Sequence, residues 1–213
     1  PKDAITHSGF PKGYVNPIIS ENIPSSEAVL ELMRTRRSIR LFKDRPVEQE
    51  SIEKIIEAAR FAPSYLNLQT TEFIVVQDKQ LLNEIAYATV HFFVESVAKL
   101  HNPFMRLLFA ARMRVPVRVV TERVIKFMEH AIEETQRGRD LILYTAPALI
   151  IFHAEKRPFS TVEINASLAL QNAALMAYGQ GLGSIFTNPI LLACERDKSI
   201  QQMVKLPENH KVY

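Results

Sequence analysis

One cysteine, Cys194, stands among 213 residues, and there is no tryptophan. A lone thiol excludes an internal disulfide, and this chain by itself cannot ligate an iron–sulfur cluster or a multi-cysteine zinc site. Glycine is scarce at six residues, and no internal repeat or low-complexity tract is present. No apolar run reaches membrane-spanning length and no signal peptide opens the chain, so no membrane partner is expected and a reducing cytoplasm is the default compartment. Charge of one sign is missing as well. The 26 basic side chains face 23 acidic ones, and a net charge of +3 does not point to nucleic acid even with a pI near 9.0. The rest is ordinary globular composition, 47% hydrophobic and 23% charged, and the length suits one domain with a sizeable core.

Residues 1–24 hold four prolines, two glycines and little periodicity, and read as a leader crossing the surface or the remnant of an upstream module. From residue 25 the pattern changes. Pro24-Ser25-Ser26-Glu27 offers a helix N-cap, and Val29, Leu32 and Met33 supply the apolar stripe of a helix over about 26–36. Ile39-Arg40-Leu41-Phe42 reads as extended. Pro46 opens a second helix with Ile52, Ile55, Ile56 and Ala59 inward, and Pro63 ends it. Phe73–Val76 reads as a strand, 79–88 as a helix, and 91–140 as mostly helical with breaks at Pro103 and Pro116. Ala148–Phe152 is a buried strand. Residues 162–180 form a helix rich in alanine, apolar nearly all round and therefore expected to be buried on most faces, as the core of a dimer would be. Ser184–Thr187 comes next as a strand. Strands and helices do not alternate strictly, which favours a mixed-sheet α+β domain over a doubly wound one.

Three segments carry chemistry. Arg36-Arg37-Ser38-Ile39-Arg40 places three guanidiniums and a hydroxyl where a helix gives way to extended chain. Arginine forks answer a phosphate monoester with paired, charge-assisted hydrogen bonds, and in extended chain Ser38 and Arg40 point to one side. Cations closing a helix and facing water would look the same. Ala62-Pro63-Ser64-Tyr65-Leu66-Asn67-Leu68-Gln69 puts backbone amides and polar side chains in a tight loop able to meet a ring edge, although Ser and Asn also favour turns for local reasons. Gly181-Leu182-Gly183-Ser184-Ile185-Phe186-Thr187-Asn188-Pro189 allows close backbone approach and ends in hydrogen-bonding groups, while a glycine helix stop explains Gly179 and Gly181 without a ligand.

In order and spacing these segments, with Ala146-Pro147-Ala148-Leu149-Ile150-Ile151-Phe152 between them, resemble the FMN-dependent nitroreductase family over roughly residues 25–213. The resemblance implies an α+β sandwich, with helices flanking a central mixed sheet, and an intertwined homodimer with FMN at the interface. By position, Arg36, Arg37, Ser38 and Arg40 are implied to hold the ribityl phosphate and approach the pyrimidine edge. Pro63, Ser64, Tyr65 and Asn67 are implied to come from the partner subunit, and Phe186, Thr187 and Asn188 to line the isoalloxazine. Donors near that edge would favour reduced anionic flavin. The implied reaction moves a hydride or electron pair from NAD(P)H or a ferredoxin-type donor, through flavin N5, to a small conjugated acceptor such as a nitroaromatic or quinone. It needs no dedicated acid or base, and no catalytic side chain is nominated.

The remaining residue types are read blandly. The six histidines, at 7, 91, 101, 130, 153 and 210, show no metal-ligand spacing and most of them read as surface or capping residues, and Cys194 reads as a packed thiol. There are departures from the family. Thr70-Thr71 stands where members have Pro-Trp, a basic phosphate ligand from a C-terminal segment is expected beyond Tyr213, and the 91–140 stretch, with Phe92, Phe93, Phe104 and Phe109, sits where members vary most. Pro1–Thr6 resembles the run of residues after the last cysteine of a bacterial-type ferredoxin. An upstream module holding 4Fe–4S clusters is one expectation, and simple loss of an unrelated leader is the other. Two rivals remain: the same fold used for reductive dehalogenation or flavin modification, and a non-catalytic module whose basic stretch at 106–126 docks on a membrane or an acidic protein.

Overall fold

The computed structural model describes residues 19–156 and 161–213, so the expectations for Pro1–Thr6 and His7 lie outside the described residues. The chain divides into two units, Pro1–Thr35 and Arg36–Tyr213. In the first, a 3-10 turn at Ser20–Asn22 precedes helix α1 (Ser26–Thr35). The Ala28 amide donates to the Ser25 hydroxyl at 3.2 Å, and Glu27 sits in the first turn where the helix dipole is positive. Val29 and Leu32 of the expected stripe are half-buried, and Met33 is exposed.

The second unit begins with extended chain and then α2 (Gln49–Arg60), which buries Ile52, Ile55 and Ala59 as its apolar spacing requires. Strand β1 (Glu72–Val76) leads to α3 (Lys79–Leu100), whose N-cap Asp78 accepts the Leu81 amide at 2.7 Å. Sequence periodicity separates 79–88 from the next helical stretch, yet the structure runs them together. No proline or glycine interrupts 79–100, and the one awkward residue, Thr89, settles its hydroxyl on the Ile85 carbonyl at 2.8 Å. Pro103 and Pro116 act as expected. Pro103 opens α4 (Pro103–Met113) behind an Asn102 cap, and Pro116 precedes α5 (Val117–Val119). A π-helical turn, Val120–Ile125, continues without a break into α6 (Lys126–Gln136). Then come β2 (Leu149–Glu155), α7 (Thr161–Gly179), α8 (Asn188–Cys194), α9 (Lys198–Met203) and β3 (His210–Val212).

The strands pair antiparallel in the order β1-β2-β3, with Phe73 opposite Phe152 and Val212 opposite His153. Alternation then divides the sheet into two apolar faces. Val76, Leu149, Ile151 and Val212 belong to a core with Leu82, Ile85 and Phe93 of α3 and with Ile190 and Ile200. Phe73, Ile150 and Phe152 belong to a second core with Ile55 and Ala59 of α2 and Ala169, Ala173 and Ala177 of α7. Phe73 meets Phe152 edge-on at 5.1 Å. Helices on both sides of a small sheet make this an α+β fold, as expected. Phe92, Phe93 and Phe109 are core residues, whereas Phe104 is exposed.

Two expectations are corrected. Ser184–Thr187 is not a strand: one parallel bridge, Ser38 to Ser184, is all that forms before Asn188-Pro189 turns the chain into α8. Helix α7 is not buried on most faces either. Its alanines are covered, but Ile164, Leu168, Met176 and Tyr178 stay exposed because no described element of the chain packs over that side. No described helix is long and apolar enough to cross a membrane.

Candidate functional site

The first and third chemical segments meet. The Ile39 amide donates to the Ser184 carbonyl at 3.0 Å, completing the bridge between Ser38 and Ser184. Two glycines allow this approach for different reasons. Gly181 takes φ +75° and stops α7, its amide donating to the Tyr178 carbonyl at 2.9 Å while the Leu182 amide reaches Ala177 at 2.9 Å. Gly183 is needed for closeness, since a Cβ there would stand 2.9 Å from the Ile39 Cβ.

Alternation along 38–41 separates two kinds of side chain. Ile39 and Leu41 line a cavity of about 570 Å³, shared with Pro147, Phe186, Thr187 and Asn188 and within the range of small-molecule sites. Arg36, Arg37, Ser38 and Arg40 do not line it. Arg37, Ser38 and Arg40 are exposed and Arg36 is half-buried. Arg37 donates to the Arg36 carbonyl at 3.1 Å, and the Arg40 guanidinium lies 5.9 Å from the centre of the Tyr144 ring. Among the described residues no carboxylate comes within ion-pair distance of these three arginines, so the cluster is a concentrated positive edge without an internal counter-charge.

The second segment lies apart. A 3-10 turn, Tyr65–Asn67, comes after Pro63 and Ser64, and none of these residues lines the cavity. The Tyr65 amide donates to Asn165 Oδ1 of α7 at 3.1 Å, and the Gln69 amide to Ser64 Oγ at 3.0 Å. Leu66, Asn67 and Gln69 hold φ of 49°, 54° and 48°, a left-handed conformation that costs non-glycine residues on the order of 1 kcal/mol each. Thr70 has a buried hydroxyl with no partner among the described residues.

Sequence reasoning passed over the loop before β2. There the Asp140 carboxylate gathers the amides of Ile142, Leu143 and Thr145 at 2.7, 3.0 and 3.0 Å. Tyr144 and Thr145 take φ of 55° and 58°. Thr187 donates its hydroxyl to the Ile142 carbonyl at 3.0 Å, so that group is occupied in holding this loop against the turn. An Asp placed to receive amides two to five residues on is a readable turn signal, although its tie to Thr187 is not.

Among the described histidines, His91, His101 and His130 are exposed, in keeping with the expectation that most are surface residues, whereas His153 is buried and His210 half-buried. Glu72, His153 and His210 come from three different strands, yet each brings a potential ligand atom to within 4.8 Å of the others. Burial holds the His153 imidazolium disfavoured, helped by His210 and opposed by Glu72. Linear spacing cannot reveal a cluster built by strand register. Cys194 is a packed thiol, pushed up to about 12 by burial and by Asp197. Within the basic stretch, Arg106 caps the end of α3 by donating to the carbonyls of Leu100 at 3.0 Å and His101 at 3.3 Å, and Arg118 pairs with Glu122 at 2.9 Å. Those two arginines have structural work that a docking surface would not require.

Comparison with known proteins bears on the fold and the family. A nitroreductase of Bacteroides fragilis, crystallised with bound FMN, superposes with a TM-score of 0.65 at 23% identity, covering 87% of this chain and 83% of its own. A protein of Archaeoglobus fulgidus, provisionally named NADH dehydrogenase/NAD(P)H nitroreductase, is 27% identical over 187 residues, 88% of this chain and 82% of its own length. An iodotyrosine deiodinase of Danio rerio is 36% identical over a shorter stretch of 67 residues, 32% of this chain and 23% of its own. The family model described as the nitroreductase family matches residues 33–213, from just before the arginine cluster to β3. The chain belongs to the nitroreductase family.

Proposed function

We propose that this protein is an FMN-dependent oxidoreductase, acting as a homodimer, that passes reducing equivalents from NAD(P)H or a ferredoxin-type donor to a small conjugated acceptor such as a nitroaromatic or quinone. The observation that carries the reading is the bridge between Ser38 and Ser184. It joins a cationic edge with no counter-charge among the described residues to the turn bearing Phe186, Thr187 and Asn188. Arg36, Arg37 and Arg40 suit a phosphate monoester, because planar guanidiniums offer paired donors and no carboxylate among the described residues pairs with them. Bound there, FMN would supply reversible hydride chemistry. The residues of the chain orient and shield. Ser38 and Arg40 offer donors along one side of the segment, and the loop fixed by Asp140 keeps Tyr144 beside Arg40.

The homodimer has its own support. Ile164, Leu168, Met176 and Tyr178 of α7 are uncovered in the single chain, and Asn165 of the same helix anchors the strained loop holding Pro63, Ser64, Tyr65 and Asn67. A second copy that covers α7 therefore meets this loop as well, which is how the loop would reach the flavin of the other chain. The stretch shared with the deiodinase favours one further reaction at the same flavin, reductive dehalogenation of aromatics.

The test is direct. Purified protein is expected to be yellow, or to bind added FMN, and to oxidise NAD(P)H or a reduced ferredoxin when nitroaromatics, quinones or halogenated phenols are supplied. Arg40→Ala should weaken FMN about 10- to 100-fold, the loss of one charge-assisted contact of roughly 1.5–3 kcal/mol. A colourless preparation that takes up no FMN, or an Arg40→Ala variant that retains flavin on dialysis as the parent does, overturns the assignment.

A further inference from the structure

We propose that Glu72, His153 and His210 bind one divalent first-row ion of the zinc class. Strand register assembles the three. Glu72 opens β1 directly opposite His153 of β2, and His210 of β3 lies diagonal to it, since Val212 is the residue that faces His153. All three therefore project from the same face of the sheet, at the end where the apolar row of Val76, Ile74 and Ile151 stops.

Nδ1 of His153 is 2.9 Å from Nδ1 of His210, and one ligand atom from each of the three residues lies within 4.8 Å of the others; the 4.0 Å approach of Glu72 Oε1 is to the other His210 nitrogen, Nε2. Two imidazole nitrogens and a carboxylate oxygen are the donor set that such ions take from proteins, at about 2.0–2.2 Å. Tetrahedral coordination at that length sets the two nitrogens roughly 3.3 Å apart, so the rings need to part by only a few tenths of an ångström. His153 is 3% exposed and fixed in the central strand, while Glu72 has a side chain 60% exposed and free to swing inward. The nearest lysine in sequence, Lys211, points to the other face and is engaged by Glu195 at 3.1 Å and Glu163 at 3.5 Å, which leaves no ammonium from β3 on the ligand face. None of the three ligands lines the 570 Å³ cavity, so the site stands independently of the flavin reading. Three protein ligands leave a position for water. The bound ion would fasten β3 to the other two strands. Without an ion, the two rings share a single N–H···N hydrogen bond, which is the competing account of their contact.

Tag-free protein, stripped with a chelator and dialysed, is titrated with Zn²⁺ by calorimetry and with Co²⁺ by visible absorption. The expected result is one ion per chain, a Co²⁺ d–d band of low-coordinate type, and a higher Tm with Zn²⁺ present. Glu72→Gln and His210→Asn should each weaken binding by about tenfold or more, given that even outer-shell partners are worth that much, and should reduce the Tm increase. His130→Asn, at an exposed position outside the cluster, should change neither. Absence of binding by the parent, or variants that bind as tightly as the parent, overturns the proposal and leaves the ring-to-ring hydrogen bond as the whole explanation.

Discussion

Gly183 does not occupy the left-handed region, yet a Cβ at that position would meet three Ile39 atoms at 2.9–3.0 Å. Gly181 is the converse case, with φ +75° and open space around it. The two should respond differently to the same change. Gly183→Ala is expected to destabilise by about 1–3 kcal/mol through overpacking, and Ile39→Ala in the same chain should recover part of that, because two of the three contacts are to Cγ atoms. Gly181→Ala should cost about 1–2 kcal/mol through its backbone alone, with no recovery from Ile39→Ala. Urea denaturation of the single and double variants decides this. At Cys194, burial pushes the thiol up to about 12, so almost none is thiolate at neutral pH. Labelling in native buffer should be slow and should accelerate only on unfolding; labelling at the rate of an exposed thiol would show that the packing around it opens. Residue types that advertise their chemistry locally, such as the arginine cluster and the glycine stop, were legible in the sequence. Glu72, His153 and His210 were not, because their proximity exists only once three strands have paired.

Helices bounded by prolines or capped by Ser were readable to within a few residues: α1, α2 and α4 begin near their signals, and α7 keeps its alanine-rich extent. Elements whose ends depend on tertiary contact were not. Ser184–Thr187 has strand-like composition but gains one bridge, and α3 swallows a boundary that only a proline or glycine could have enforced. The end of α6 carries another such dependence. Glu134 is buried and accepts hydrogen bonds from Arg139 and Arg137. The Arg139 hydrogen bonds, opposed by desolvation and aided by Arg137, lower its carboxyl to about 2 from an ordinary 4.5. A depressed carboxylate stabilises the fold above its unfolded pKa and loses that contribution as pH falls through the folded one. The Tm should therefore decline between pH 4.5 and 2 in part through this group. Glu134→Gln should lower the Tm at neutral pH and flatten that portion of the acid profile; an unchanged profile would place the acid sensitivity elsewhere.

For the molecule as a whole, one stripe of α7 decides whether a single chain suffices. Ile164, Leu168, Met176 and Tyr178 expose apolar surface on a helix whose opposite side is packed with alanine. If two copies cover that stripe, Leu168→Lys should yield monomers by light scattering and release flavin more readily, since the loop at Pro63–Asn67 would no longer reach it. Dimers that persist unchanged would put the interface elsewhere. The contact between Ile39 and Ser184 has a consequence at the same scale. A single peptide hydrogen bond couples a segment near the start of the second unit to a turn almost 150 residues later, and neither side is stitched into the sheet. Deuterium uptake at the Ile39 amide thus becomes a gauge of occupancy: quick when the positive edge is vacant, and slowed many-fold when an anionic ligand locks both sides of that clasp together.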